Sequence, residues 1–314
     1  MKPNVVILIG PTAVGKTNIS IELAKKIDGE IISADSMQIY KYMDIGTAKP
    51  LNTEMQNIPH HLIDIVEPSE TFTVADFQAQ AKLAIDKITK NGKLPIIAGG
   101  TGLYINSIIY DIDFTSTISN WPLRNHLQLE AEKYGNEYIH NKLKKLDPEA
   151  ANRIHKNNVK RVIRAIEVIK TSGEKIGNFK NDPKLNEDYN FILIGLTRDR
   201  KELYDRINKR VDMMIKDGLI EEVSSLINEK GYDKNLIAFR GLGYKEIIVY
   251  LENNIDLEKT IEILKRDTRR YAKRQLTWFR RLDNVRWYNL SEYISKENLV
   301  CDIIEYIERY LYML

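Results

Sequence analysis

The sequence predicts an α/β protein: a parallel sheet flanked by helices, interrupted by an all-helical insertion. Three observations predict it. Short, continuous apolar runs recur with helical segments between them, the pattern of strands buried on both faces of a parallel sheet. A glycine-rich turn joins the first run to the first helix. From about residue 116 to 187 the strand-like runs stop and helical periodicity continues alone. The composition agrees. Of 314 residues 43% are hydrophobic and 29% charged, which argues against collagen-like, coiled-coil and disordered chains. A prior of roughly 150 residues per domain gives about two domains.

Val5-Val6-Ile7-Leu8-Ile9 is the first strand, followed by a helical pattern from Asn18 to Ile27. Glu30 to Ala34 reads as a second strand. Residues 36–72, with Pro50, Pro59 and Pro68, read as loop. From Ala75 to Asn91 the apolar residues Phe77, Ala81, Ala84, Ile85 and Ile88 share a helical face, and Asn91-Gly92 ends it. Leu94 to Ala98 is a third strand. Residues 121–172 are helical, and Tyr189 to Leu196 returns to a buried strand. Asp256 to Arg281 lacks proline and glycine and reads as one long helix. The expected organisation is a catalytic core of residues 1–115 plus 188–314, with 116–187 inserted.

Charge and cysteine content bound the function. Net charge is +3, with two basic concentrations. Lys265 to Arg281 carries eight basic residues against Asp267, and Arg153 to Lys175 carries seven against Glu167 and Glu174. Such clusters suit either a polyanion or a solvated helix face. The one cysteine, Cys301, excludes an intramolecular disulfide and nearly excludes a structural cysteine-type zinc site. No apolar run reaches the roughly 18 residues of a membrane helix, and Met1-Lys2-Pro3 leads into a strand without signal-peptide grammar. A cytoplasmic protein without membrane association is expected.

Gly10-Pro11-Thr12-Ala13-Val14-Gly15-Lys16-Thr17 fits G-x-x-x-x-G-K-[ST], between a strand and a helix, the context that identifies a P-loop. A P-loop NTPase-like sheet follows. The turn aims backbone N–H groups inward, the helix N-terminus adds positive potential, Lys16 supplies a charge and the Thr17 hydroxyl is a ligand for Mg²⁺. The motif specifies a diphosphate or triphosphate without naming its carrier. Asp35 follows the second strand, on the ligand side of such a sheet, as a general base, a cap or an Mg²⁺ partner. Gly99-Gly100-Thr101-Gly102 falls on the same edge. His60-His61 lacks a third histidine or cysteine nearby and reads as loop packing rather than a metal site.

In combination these motifs resemble the tRNA dimethylallyltransferases. The resemblance rests on the P-loop, Ser33 to Tyr40 (S-A-D-S-M-Q-I-Y), Asp44 to Pro50 (D-I-G-T-A-K-P), Pro59 to Ile65 (P-H-H-L-I-D-I), Gly99 to Tyr104 (G-G-T-G-L-Y) and Lys273 to Arg280 (K-R-Q-L-T-W-F-R), and spans about residues 5–281. It implies transfer of a dimethylallyl group from dimethylallyl diphosphate to the N6 amine of the adenosine 3′-adjacent to the anticodon, in tRNAs reading U-initial codons. By resemblance the P-loop (Gly10, Thr12, Ala13, Val14, Gly15, Lys16, Thr17) and Arg210 bind the diphosphate, with Mg²⁺ on Thr17, and Asp35 is the base. Also by resemblance the tRNA anticodon loop meets Asp35, Ser36, Met37, Gln38, Thr101 and Arg124. Lys160, Arg161, Val162, Ile163 and Arg164 form a further contact, as do Gly241, Leu242, Gly243, Tyr244 and Lys245, and finally Lys273 and Arg274. Nothing in the sequence demands more than a monomer. One departure is Asn158, where the family often has an acid in H-x-N-D. The rival readings are a P-loop nucleotide or small-molecule kinase and an RNA-binding ATPase. The kinase shares the loop but does not need the basic clusters, the helical insertion or the C-terminal block; the ATPase would require ATP-dependent binding and hydrolysis without substrate modification.

Overall fold

The computed structural model describes residues 2–110, 112, 120–173 and 184–312. The expected domain boundary at 115/116, and Glu174 and Lys175 of the second basic cluster, lie outside the described residues. The chain divides into two compact units, Tyr110–Leu185 and the remainder.

The larger unit is a six-stranded, all-parallel sheet flanked by helices, in the order β3-β2-β4-β1-β5-β6. The strands are β1 (Asn4–Ile9), β2 (Gly29–Ala34), β3 (His60–His61), β4 (Leu94–Gly99), β5 (Asn190–Thr197) and β6 (Arg286–Asn289). β1 lies between β4 and β5, and Val5 to Ile9 are fully buried, as a doubly covered strand requires. Helices α1 (Lys16–Lys26) and α3 (Val74–Lys90) cross over between strands. Thr73 caps α3 in a reciprocal box with Asp76, which satisfies two otherwise unpaired N–H groups. Val6, Leu8, Ile192 and Ile194 share one core with α1 and the C-terminal helix; the alternating residues Val5, Ile7 and Ile9 serve the other face.

Two edge strands were not legible in the sequence. His60-His61 is β3 rather than loop, paired with β2 at Ile31 and Ile32. β6 buries one residue of its four, Tyr288, so no apolar run announces it. The stretch 36–72 also holds the short α2 (Asn52–Met55). Beyond β4 comes α4 (Gly102–Ile109).

The smaller unit contains α5 (Trp121–Tyr134), α6 (Asn136–Leu146), α7 (Pro148–Arg153) and α8 (Val159–Ser172) around their own core. Glu167 is fully buried there and receives Arg124 Nε at 2.6 Å, Arg164 Nη1 at 2.7 Å and the Asn120 N–H at 2.7 Å. Burial pushes its carboxyl up, but these donors outweigh it and hold the net value below the ordinary range.

After β5 the larger unit continues through α9 (Arg200–Lys216), α10 (Leu219–Ser224), α11 (Tyr244–Leu251), α12 (Leu257–Phe279) and α13 (Lys296–Tyr312). Asp256 caps α12, accepting from the Lys259 N–H at 2.7 Å. Among the described residues no helix is long and apolar enough to cross a membrane.

Candidate active site

The site forms at the carboxyl edge of the sheet, where the crevice of an open parallel sheet takes its ligand. Gly15 stands before α1 at φ +114°, a left-handed conformation that favours glycine. No side chain caps α1 and no acid sits in its first turn, so its leading N–H groups keep their positive potential for an anion. Lys16 Nζ donates to the carbonyls of Gly10 and Pro11 at 2.9 and 2.8 Å. Desolvation lowers its pKa to about 8, with Arg210 adding to the fall and Asp35 opposing it.

Two guanidiniums that sequence reasoning missed hold the loop from beneath. Arg206 Nε donates to Ala13 O and Arg198 Nε to Val14 O, both at 2.9 Å. Their separation of nearly 200 positions in sequence hid the pairing. Gln275 is the third missed residue. Its Oε1 accepts from the Thr12 N–H at 2.8 Å, and its Nε2 donates to Gly100 O at 2.9 Å. One amide thus ties the phosphate loop to the Gly99–Gly102 turn. Three residues on, Trp278 Nε1 donates to Asn106 Oδ1 at 3.3 Å, and its ring fills the space a side chain at Gly102 would take. The C-terminal block of α12 is therefore a clamp on β4 and α4, and Phe279 is fully buried.

A cavity of about 150 Å³ collects Thr12, Ala13, Gly15, Lys16, Thr17, Asp35, Gln38 and Arg210, together with Arg206 and Tyr271. Gly10 and Val14 shape the loop without lining that cavity. A second cavity of about 330 Å³ brings Ser36, Met37, Gly241, Leu242, Gly243, Tyr244, Lys245 and Arg274 to the same edge. Its walls include Ile207, Val211, Met214 and Leu264 and are more apolar. Asp35, Arg210, Thr12 and Tyr271 belong to both cavities, so the two meet at Asp35. Desolvation raises the Asp35 carboxyl above its usual range, against the Met37 N–H (2.9 Å to Oδ1) and Lys16. Burial likewise keeps the Tyr271 phenol protonated, with Asp35 as the second cause.

The remaining sequence-marked residues have distinct settings. Thr101 Oγ1 accepts from the Ser36 N–H at 3.0 Å, which fixes the turn after Asp35. Gln38 accepts from Ser33 Oγ and donates to Thr47 O and Ala48 O, so its amide is committed to the fold. Lys273 is exposed on α12. Glu222 grips the D-I-G-T-A-K-P turn, accepting from the N–H groups of Asp44, Ile45 and Gly46 and from the Tyr244 hydroxyl. Lys49, 9% exposed, completes that turn by donating to Tyr40 O, Asp44 and Asp64. Tyr244 is fully buried, and its hydroxyl serves this grip rather than an external ligand.

Val162 and Ile163 require correction: they are 1% and 5% exposed inside the insertion core, so their side chains pack the fold and do not reach RNA. The reason is helical periodicity, which turns Lys160 and Arg161 outward and these two inward. Asn158 precedes α8 exposed and makes no side-chain cap. Arg164 pairs with the carboxylate of Glu167.

Among the described residues no group of three or more His, Cys, Asp or Glu side chains is placed to hold a metal ion. The Thr17 hydroxyl and the Asp35 carboxylate share one cavity, where Asp35 is the one carboxylate in the lining. Such a sparse set suits Mg²⁺ brought in with substrate phosphates, which supply the other oxygens, rather than a resident all-protein site.

Fold and loop define a P-loop protein: strand, glycine-rich turn and helix N-terminus facing a cationic cavity. The family model described as IPP transferase matches residues 38–282, and the chain belongs to that family. The tRNA dimethylallyltransferase of Alkaliphilus oremlandii is 66% identical over 299 residues, 95% of each chain. A crystal structure of the full-length tRNA isopentenylpyrophosphate transferase from Bacillus halodurans is similar with a TM-score of 0.75 at 45% identity, covering 99% of this chain and 98% of that one. A eukaryotic dimethylallyltransferase acting on tRNA gives a TM-score of 0.82 at 28% identity, over 98% of this chain and 80% of the other.

Proposed function

We propose that the protein transfers the dimethylallyl group of dimethylallyl diphosphate to the N6 amine of a tRNA adenosine, the one 3′-adjacent to the anticodon in tRNAs reading U-initial codons. The observation that carries this reading is the meeting of two unlike cavities at Asp35. One is cationic and built on a phosphate loop; the other is larger and more apolar. An ATPase, whose acceptor is water, needs the first alone. The second suits an extruded base, whose removal from its stack is cheapest in a loop.

The chemistry follows from the residues. The loop amides, Lys16 and Arg210 hold the diphosphate, most strongly as its charge grows during scission of the allylic C–O bond. The bonding pair leaves with the diphosphate, and the N6 lone pair forms the new C–N bond. Asp35, its proton affinity raised by desolvation, accepts the proton that N6 must lose. Thr17 would hold Mg²⁺, which when bound would supply Lewis-acid neutralisation of the leaving diphosphate. Arg124, Lys160, Arg161 and Arg164 on the insertion, and Thr101, Lys273 and Arg274 on the core, supply the tRNA contacts. The protein acts as a monomer in the cytoplasm, beside its tRNA.

The test mixes protein, Mg²⁺, dimethylallyl diphosphate and unmodified tRNA bearing adenosines in the anticodon loop. Digestion and mass spectrometry seek a nucleoside heavier by one five-carbon prenyl unit. D35N is expected to abolish product while tRNA affinity stays within a few-fold of wild type. Turnover of D35N near the wild-type rate removes Asp35 as base; ATP turnover without prenylated product makes the protein a kinase or ATPase.

A further inference from the structure

Helix α12 lays one stripe of side chains along the site. Leu264, Thr268, Tyr271, Gln275 and Trp278 recur at the three- and four-residue spacing that shares a helical face. Leu264 and Thr268 line the apolar cavity, Gln275 lines the phosphate-loop cavity, and Tyr271 between them lines both. The helix thus sets an aromatic ring at the opening between the two. Thr12, Asp35, Thr47, Ala48 and Arg210 share both linings with it, and Tyr271 is the one aromatic among these described residues. It is half-buried rather than sealed, so part of the side chain is open to what fills the cavities.

The ring is oriented from its hydroxyl end, where the Gln275 and Thr101 side chains lie. Gln275 is itself fixed by the Thr12 N–H and Gly100 O. The Arg274 guanidinium carbon stands 5.7 Å from the ring centroid, near the outer limit of a cation–π contact. Arg274 is exposed, so it engages the ring only weakly.

The reaction needs such a face at this place. With the diphosphate in the first cavity and the adenine in the second, the allylic carbon that passes between them lies where the cavities meet. As its C–O bond breaks, the electron pair leaves with the diphosphate. Positive charge spreads over the allyl group until the N6 lone pair closes the new C–N bond. Within the shared lining Arg210 repels that charge, and Asp35 is committed to the proton of N6. The face of an aromatic ring attracts a cation through its quadrupole, most strongly where water is excluded. Resting on the transferase reading of the site, we infer that the Tyr271 ring stabilises the positive charge developing on the allylic carbons. The ring forms no bond and gives up no proton. Burial, and then the Asp35 charge, keep its phenol protonated, so it does not compete with N6 as a nucleophile. Because the attraction grows only with the charge, it acts on turnover and not on binding of the neutral prenyl chain.

The test measures single-turnover prenylation with dimethylallyl diphosphate, Mg²⁺ and unmodified tRNA. Y271L removes the ring and keeps an apolar side chain. It is expected to slow the single-turnover rate roughly ten- to thirty-fold. Affinities for inorganic pyrophosphate and for tRNA should stay within a few-fold of wild type. A second series compares Y271F with versions carrying one, two or three fluorines on the introduced phenylalanine ring. These nearly keep its shape while drawing electron density from its face step by step. The rate should fall with each fluorine, its logarithm tracking the ring's affinity for cations. A ring that only packs would give one rate across the series, and that result overturns the inference, as does a wild-type rate in Y271L. Thermal unfolding checks that each variant is folded, and the fluorinated series alone carries the test should Y271L fail to fold. Absence of prenylated product from the wild type overturns instead the transferase reading on which the inference rests.

Discussion

Lys16 and Asp35 set opposite limbs of a pH profile. The protonated form of Lys16 attracts diphosphate, and its pKa in the free protein is about 8. Affinity for the prenyl donor therefore falls as pH rises through about 8, until the bound anion's own field restores the proton. Asp35 acts as a base only when ionised, and desolvation raises its pKa. Activity is thus lost as pH falls through a value above the ordinary aspartate range. kcat/KM for dimethylallyl diphosphate should be bell-shaped, and pyrophosphate affinity should show the alkaline limb alone. A profile flat from pH 7 to 10 would remove Lys16 from the binding step. Asp35 and Lys16 were legible in the sequence because both sit at strand ends or in a local motif. Arg206, Arg198 and Gln275 were not, because each acts across the fold on backbone atoms that no spacing rule reaches.

The helices carry two further expectations. Gln275 is buried and bridges two loops with both ends of one amide. Q275L matches its bulk but strands the Thr12 N–H and the Gly100 carbonyl, a loss of about 1–3 kcal/mol for each group left unsatisfied. Prenyl diphosphate affinity should drop at least tenfold, with tRNA affinity little changed; an unaltered KM would make the bridge dispensable. In the insertion, E167Q leaves Arg124 and Arg164 facing a neutral buried amide. Removing one member of a buried ionic cluster costs about 3–5 kcal/mol. Hydrogen exchange should show faster amides along α8 while β1 stays protected. The strands legible from sequence were those with continuous apolar runs. β3 and β6 escaped because an edge strand of two or four residues shows no such run. Val162 and Ile163 were mistaken for contacts because a short motif marks neighbours in sequence, while a helix of 3.6 residues per turn faces one adjacent pair outward and the next pair inward.

Both cavities are lined by residues of the larger unit, and the insertion carries further basic residues. Lys273 is exposed and Arg274 borders the second cavity. Replacing both with alanine should weaken tRNA binding and flatten its dependence on salt by up to about two units of the log–log slope, since each phosphate contact releases counterions. An unchanged slope would place α12 off the RNA. The clamp at Gln275 has another consequence, for birth rather than catalysis. A ribosome completes the phosphate loop within the first 17 residues, yet the side chain that ties it down is the 275th. β1 in the sheet's interior also waits for β5, and Arg198 and Arg206 arrive after residue 190. The nascent chain therefore carries an immature anion site while more than 250 further residues are added, and acquires a finished one only once Gln275 has been made.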